Sequence, residues 1–136
     1  MKVFKYIPLF FYLLIIYNIL VFSGGDNTQN ILDLTLIEAQ LISGAMFMLD
    51  GNGLLIILGV ISLCIEVFKS TRTSVVSVID HAFSMLVFIA FLVEFIVVKN
   101  AGTSSFLILT LMALFDVIAG FAVTISSARR DLLVTR

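Results

Sequence analysis

Residues 105–127 read SFLILTLMALFDVIAGFAVTISS, an apolar stretch broken by a single acid, Asp116. A membrane helix needs about 20 mostly apolar residues to cross a hydrocarbon core about 30 Å thick. This stretch has that length, and at about 1.5 Å per residue Asp116 falls roughly 15 Å beyond Phe106, close to the midplane. Lipid offers no partners for backbone N–H and C=O groups, so a run of this kind has to be a helix. Its length and apolarity do not suit a barrel strand.

Three further runs obey the same rule. Spans are expected at about 6–22, 52–69 and 75–98, with 105–127 the fourth. The second contains LLIILGVISLCIEVF (54–68), and Pro8 falls in the first turn of the first, where a missing N–H costs little. The expected fold is an all-α four-transmembrane-helix bundle, one integral membrane domain over 1–136. Composition agrees. The chain is 61% hydrophobic and 12% charged, with a mean hydropathy of +1.20. Soluble domains have about 45–50% apolar and about 25% charged residues. There is no Trp to mark the interfaces; Tyr6 and Tyr17 stand at the two ends of the first span. The net charge of −1 excludes a basic nucleic-acid-binding surface. Cys64 is the single cysteine, which excludes an intrachain disulfide or a CxxC motif.

Lys and Arg set the expected orientation. Lys2 and Lys5 precede the first span, Lys69 and Arg72 separate the second from the third, and Arg129, Arg130 and Arg136 follow the fourth. With four spans these seven share one side and Lys99 alone falls on the other. The positive-inside rule then places both termini in the cytoplasm. A rival reading treats MKVFK and the following apolar run as a signal peptide cleaved after Ser23, which would leave three spans.

The outer loop, 24–51, opens with GGDNTQN, a turn-like stretch. Leu32, Leu34 and Leu36 then alternate with Asp33 and Thr35, as in a half-buried strand. Ser43-Gly44 can turn the chain into a second strand, AMFML. A short β-hairpin resting on the outer helix ends is the preferred reading. An interfacial helix over 30–42 is the alternative, since Ile31, Leu34, Ile37 and Leu41 also fit a helical face. Asp50 reads as a cap or turn residue before the second span, with Asn52 competing.

The candidate intramembrane polar site is Asp116, Ser84, Ser62, Tyr12, Asp80, His81, Glu94 and Glu66. Tyr12, Ser62 and Ser84 lie within roughly 5 Å of the depth of Asp116. None is cationic, and a desolvated carboxyl without a counter-ion favours its neutral form. It then serves either as hydrogen-bonded glue between helices or as a proton- or cation-binding group on a transport path. At the inner level Glu66, Lys69, Asp80, His81, Arg129 and Arg130 offer both signs for ion pairing. Asp80 is also placed to cap the third helix. Glu94 sits about one turn from Lys99. Asp116, Gly120 and Thr124 form a small-and-polar stripe for close helix approach, with Gly59 and Ser62 a similar edge on the second span.

No nucleophile elbow, P-loop, dinucleotide fingerprint or paired-His pattern occurs, so no catalytic residue, cofactor or metal ligand is expected. The segments DHAFSMLVF (80–88) and FDVIAGF (115–121) resemble those of short, uncharacterised inner-membrane proteins of proteobacteria. That resemblance covers roughly the C-terminal half and implies a bacterial inner-membrane placement, with no activity. The order of four spans and an outer hairpin also looks like the claudins, but their Trp and paired-Cys loop signature is missing. The expected partners are membrane lipids and a membrane protein or a second copy, with no nucleic acid. A non-enzymatic interaction or accessory subunit is expected first, and a small proton- or cation-coupled transporter or channel subunit using Asp116 second.

Overall fold

The computed structural model of the protein describes residues 7–23, 31–71 and 75–134, with the side chains of 75–77 and 131 left out. Lys2, Lys5, Tyr6, the turn-like 24–30, Arg72 and Arg136 lie outside the described residues. The order is α1 (Leu9–Ser23), β1 (Thr35–Gln40), β2 (Met46–Asp50), α2 (Gly51–Ser70), α3 (Val75–Val97), a 3₁₀ turn (Lys99–Ala101) and α4 (Ser104–Val134). Three helices are long and apolar enough to cross a membrane: α2, α3 from Val78 onward, and α4. The helices α2, α3 and α4 begin and end within a residue or two of the expected second, third and fourth spans, except at the end of α4, which runs seven residues past Ser127. α1 has 15 residues, about 22 Å at 1.5 Å per residue, and stops short of the length the other three reach. Its start is set by Pro8, which precedes the helix and whose carbonyl accepts from Phe11 N at 3.0 Å.

Interhelical contacts fix an alternating order. Leu9, at the start of α1, meets Glu66, near the end of α2; Tyr17, two turns on, meets Thr103, just before α4. Consecutive helices therefore run antiparallel, with Lys69 and Arg129 at one end and the hairpin and Lys99 at the other, while α2 and α4 run in the same direction side by side. Two glycines set the closest approaches. A Cβ on Gly59 of α2 would stand 2.6 Å from Leu109 Cδ2 and 2.8 Å from Met112 Sδ of α4. A Cβ on Gly120 of α4 would overlap the imidazole of His81 on α3. Both small edges singled out in the sequence thus meet a neighbouring helix, and packing contact replaces the hydrophobic drive that lipid removes.

Between the two ends lies an apolar core. Phe10, Leu13, Tyr17 and Val21 of α1 pack against Leu55, Val87, Phe91, Phe106, Leu109 and Ala113. Aromatic rings run across its centre, Phe10 edge-on to Phe91 (6.4 Å), Phe91 against Phe106 (5.2 Å), and Phe106 against Tyr17 (4.4 Å).

The outer loop folds as the hairpin, and the interfacial-helix alternative is not adopted over 35–40. β1 and β2 pair antiparallel, Ile37 with Leu49 through Gln40 with Met46, with an irregularity at Leu36. Gly44 N donates to Leu41 O (2.8 Å) and Leu41 N to Ala45 O (2.9 Å), with Gly44 at φ +84°. This is a type I turn followed by a left-handed glycine, a common three-residue connection. Two details differ from expectation. The strand begins at Thr35 and not at Leu32, because Leu32 is buried under the helix ends with its carbonyl against Gly51. The hairpin rests on the helix ends only at its base, where Leu49 and Asp50 are half-buried against the start of α2: every residue from Leu34 to Met48 is exposed, and Ile42 at the tip entirely so.

Candidate functional site

The buried ionisable groups gather at the Lys69 end. Glu66 and Lys69 face inward from the last turns of α2, Asp80, His81 and Ser84 from α3, and Asp116 from α4. Lys69 Nζ donates to Asp80 Oδ1 at 2.9 Å and to Glu66 Oε2 at 3.3 Å. The other carboxylate oxygen of Glu66 accepts from Leu9 N at 2.7 Å. The first N–H groups of a helix have no partner within it, and in an apolar setting each needs one. Glu66 supplies that partner to α1 from another helix, so one carboxylate and one ammonium tie α1, α2 and α3 together.

Asp116 completes the link to α4. It is 3% exposed, hydrogen-bonded to Ser84, and near enough to Glu66, Asp80 and Lys69 to feel their charges. His81, also buried, lies against Gly120 one turn from Asp116. Six of these residues therefore form one cluster: Glu66, Lys69, Asp80, His81, Ser84 and Asp116. Two of its carboxylates, Glu66 and Asp80, pair with the Lys69 ammonium, and the third acid, Asp116, bonds to Ser84. Among the described residues no group of His, Cys, Asp and Glu is arranged to hold a metal ion.

Some expected roles change. Asp80 does not cap α3; the helix starts at Val75, so Asp80 lies in its second turn, where its own backbone no longer has free N–H groups, and it pairs with Lys69 instead. Arg129 and Arg130 are exposed on the projecting end of α4 and take no part in the Lys69 pairs. Glu94 belongs to a separate site and does not turn to Lys99. Its Oε2 accepts from Asn18 Nδ2 at 2.9 Å, while the same amide also donates to Leu14 O at 3.0 Å. Glu94 Oε1 is buried with no hydrogen-bond partner among the described residues. Ser62 is half-buried on α2 beside Gly59, and Tyr12 is half-buried on α1 with its hydroxyl shielded from solvent.

A third polar group lies at the hairpin end and had almost no signal in the sequence. Tyr17 Oη is 3.0 Å from Thr103 Oγ1, which is 3.2 Å from Ser105 Oγ. Ser105 Oγ donates to Asn52 Oδ1 (2.6 Å), and Asn52 Nδ2 to Asp33 Oδ1 (2.8 Å). Asn52 is thus a link across the helix ends, and Asp50 is the N-cap of α2, accepting from Gly53 N at 2.7 Å. The chain borders an open cleft of about 490 Å³ between Leu32–Asp33 and the starts of α2 and α4. Thr103 also caps α4 by accepting from Phe106 N.

The aromatic core separates these layers. Asp116 lies ten residues along α4 from Phe106, about 15 Å, and the intervening buried side chains Leu109 and Ala113 are apolar. Thr110, also buried there, spends its hydroxyl on Phe106 O of its own helix. Asp116 thus lies buried in the contact between α3 and α4. The chain matches no family model, no curated protein and no solved structure.

Proposed function

We propose that this chain is a four-span inner-membrane protein with both termini cytoplasmic, acting as a non-enzymatic interaction or accessory subunit. The observation that carries this reading is the hairpin. From Leu34 to Met48 it is exposed on both faces, one face holds only Ile37, Ala39, Phe47 and the half-buried Leu49, and Ile42 projects from the tip. An isolated two-stranded hairpin is marginal in water, so an apolar one exposed beyond its base calls for a partner. The four-span topology is supported by the antiparallel fit of α1 and by the separation of Lys69, Arg129 and Arg130 from Lys99. Reporter fusions in the outer loop and at the C-terminus test it: a C-terminus outside the cytoplasm would overturn it. For the function, the full chain is purified from native membranes in mild detergent beside Phe47→Ser and Ile42→Ser variants of equal helicity. A protein bound by the wild type and lost from both variants is expected; identical, lone migration of all three would sink the reading.

A second reading, a proton- or cation-coupled transporter or channel subunit, is favoured by one observation. Glu66 and Asp80 pair with Lys69, and a third buried acid, Asp116, lies beside them on α4, as a proton- or cation-binding site would need. Asp116 is its central group, with Asp80 as relay and Glu94 further along α3. Flux into proteoliposomes decides it: equal flux for wild type and Asp116→Asn removes Asp116 from any path.

A further inference from the structure

We propose that the free edge of β2 pairs with β2 of a second copy of this chain, joining two hairpins into a four-stranded antiparallel sheet at the membrane surface. This rests on the interaction reading above and names its partner. The sheet has the order β1–β2, so each strand has one unpaired edge. Natural edges are blocked by charges, prolines or bulges. β1 carries Glu38 and the irregularity at Leu36. β2 carries none of these over Met46–Leu49, four successive uncharged residues in regular register.

The β2 sequence is also complementary to itself. A two-fold axis through Met48 sets Phe47 opposite Leu49 of the second copy and Asp50 opposite Met46, so no like charges meet. Phe47 and Leu49 share a face with their cross-strand partners Ala39 and Ile37. Pairing would make that face continuous across both hairpins and raise the strand number from two to four, past the point at which a sheet becomes independently stable. Two copies related by a two-fold axis present the same edge to each other, so the contact is isologous and closes at two. Gly51 follows Met48 by three residues, so the two α2 helices would start about 20 Å apart at roughly 3.4 Å per residue. Helices are about 10 Å across, so the two molecules stand side by side without overlap.

The test uses the full chain in native membranes, in a Cys64→Ser background, with single cysteines at Met48, Glu38 or Ile42. Residues facing each other across an antiparallel pair have Cα atoms about 4.5–5.5 Å apart, inside the range a disulfide spans. Mild oxidation should convert most Met48→Cys to a covalent dimer, with about tenfold less from Glu38→Cys or from Ile42→Cys at the exposed tip. As a second measurement, energy transfer between labelled copies in proteoliposomes should show association weakened about tenfold by Phe47→Lys. Equal dimer at positions 42 and 48, or energy transfer unchanged by Phe47→Lys, overturns the pairing. A Met48→Cys adduct with a different protein overturns the second copy as partner and leaves the interaction reading standing. Monomer at all three positions, with no energy transfer and no adduct, overturns both.

Discussion

Replacing Glu66 should separate two jobs that one carboxylate performs. Its Oε1 accepts the N–H of Leu9 at 2.7 Å, and its Oε2 faces the Lys69 ammonium at 3.3 Å. Glu66→Gln keeps a carbonyl oxygen for Leu9 and loses the charge. Lys69 is 28% exposed at its side chain, which screens the pair, so that loss is about 0.5–1 kcal/mol. Glu66→Ala loses both and leaves the first N–H of α1 without a partner in an apolar setting. A hydrogen bond to a charged group is worth about 1.5–3 kcal/mol, so Ala should cost about 2–4 kcal/mol in total. The assay is reversible unfolding in mixed micelles of rising SDS fraction, followed by helical circular dichroism. A Gln variant as unstable as Ala would show that charge, and not the cap on α1, is what Glu66 supplies. An Ala variant within about 0.5 kcal/mol of wild type would refute the contact altogether.

Other contacts give sharper, smaller tests. Gly120→Ala should cost about 1–3 kcal/mol in the same assay by displacing the His81 ring, and His81→Ala in the same chain should recover most of it; additive losses would disprove the contact. Asn18→Leu should cost about 1–3 kcal/mol because Glu94 loses its donor, whereas Glu94→Gln should be close to neutral; the reverse order in unfolding midpoints would contradict the pairing. Asp50→Ala should cost about 1 kcal/mol and speed hydrogen exchange at the Gly53 amide, with exchange unchanged if Asp50 is not the cap.

The parts of this fold that were legible in the sequence are those set by local chemistry. Apolar runs of spanning length marked α2, α3 and α4, and Gly44 after alternating residues marked the hairpin turn. A depth ruler of about 1.5 Å per residue placed Ser84 level with Asp116, and the two are hydrogen-bonded. Long-range pairing was not legible. Glu66 caps a helix 57 positions earlier, and Glu94 takes its donor from Asn18, 76 positions earlier. Nothing near either acid in sequence marks such a partner, so Lys99 looked the natural mate for Glu94. The core face was hidden for a different reason. A helix in lipid is apolar all round, so Phe10, Phe91 and Phe106 carry no periodic contrast with Phe11, Phe83 or Phe115, which face outward. Only the small and polar positions, Gly59, Gly120 and Asp116, betrayed the contact faces.

The arrangement of polar groups bears on how the molecule works. Among the described residues the ionisable and hydrogen-bonding side chains lie in separate layers. The Lys69 cluster and the Tyr17–Asp33 chain each bind helices to one another at one end, and stacked Phe91 and Phe106 fill the space between. Apart from Ser70 and Thr110, which bond within their own helices, the buried polar groups with a described bond join two different helices or cap one: Glu66 and Lys69 tie three, Ser84 and Asp116 tie α3 to α4, and Ser105 and Asn52 tie α4 to α2. Such bonds in an apolar medium are worth roughly 0.6–2 kcal/mol each and fix the relative position of helices that lipid alone does not press together. A frame clamped at both ends holds the start of α2 still. β2 passes into α2 at Asp50–Gly51 without a linker, so that frame also holds the hairpin at a set height and angle. A hairpin fixed in this way would dock at a lower entropy cost, which links the buried clusters to the contact role proposed for the hairpin.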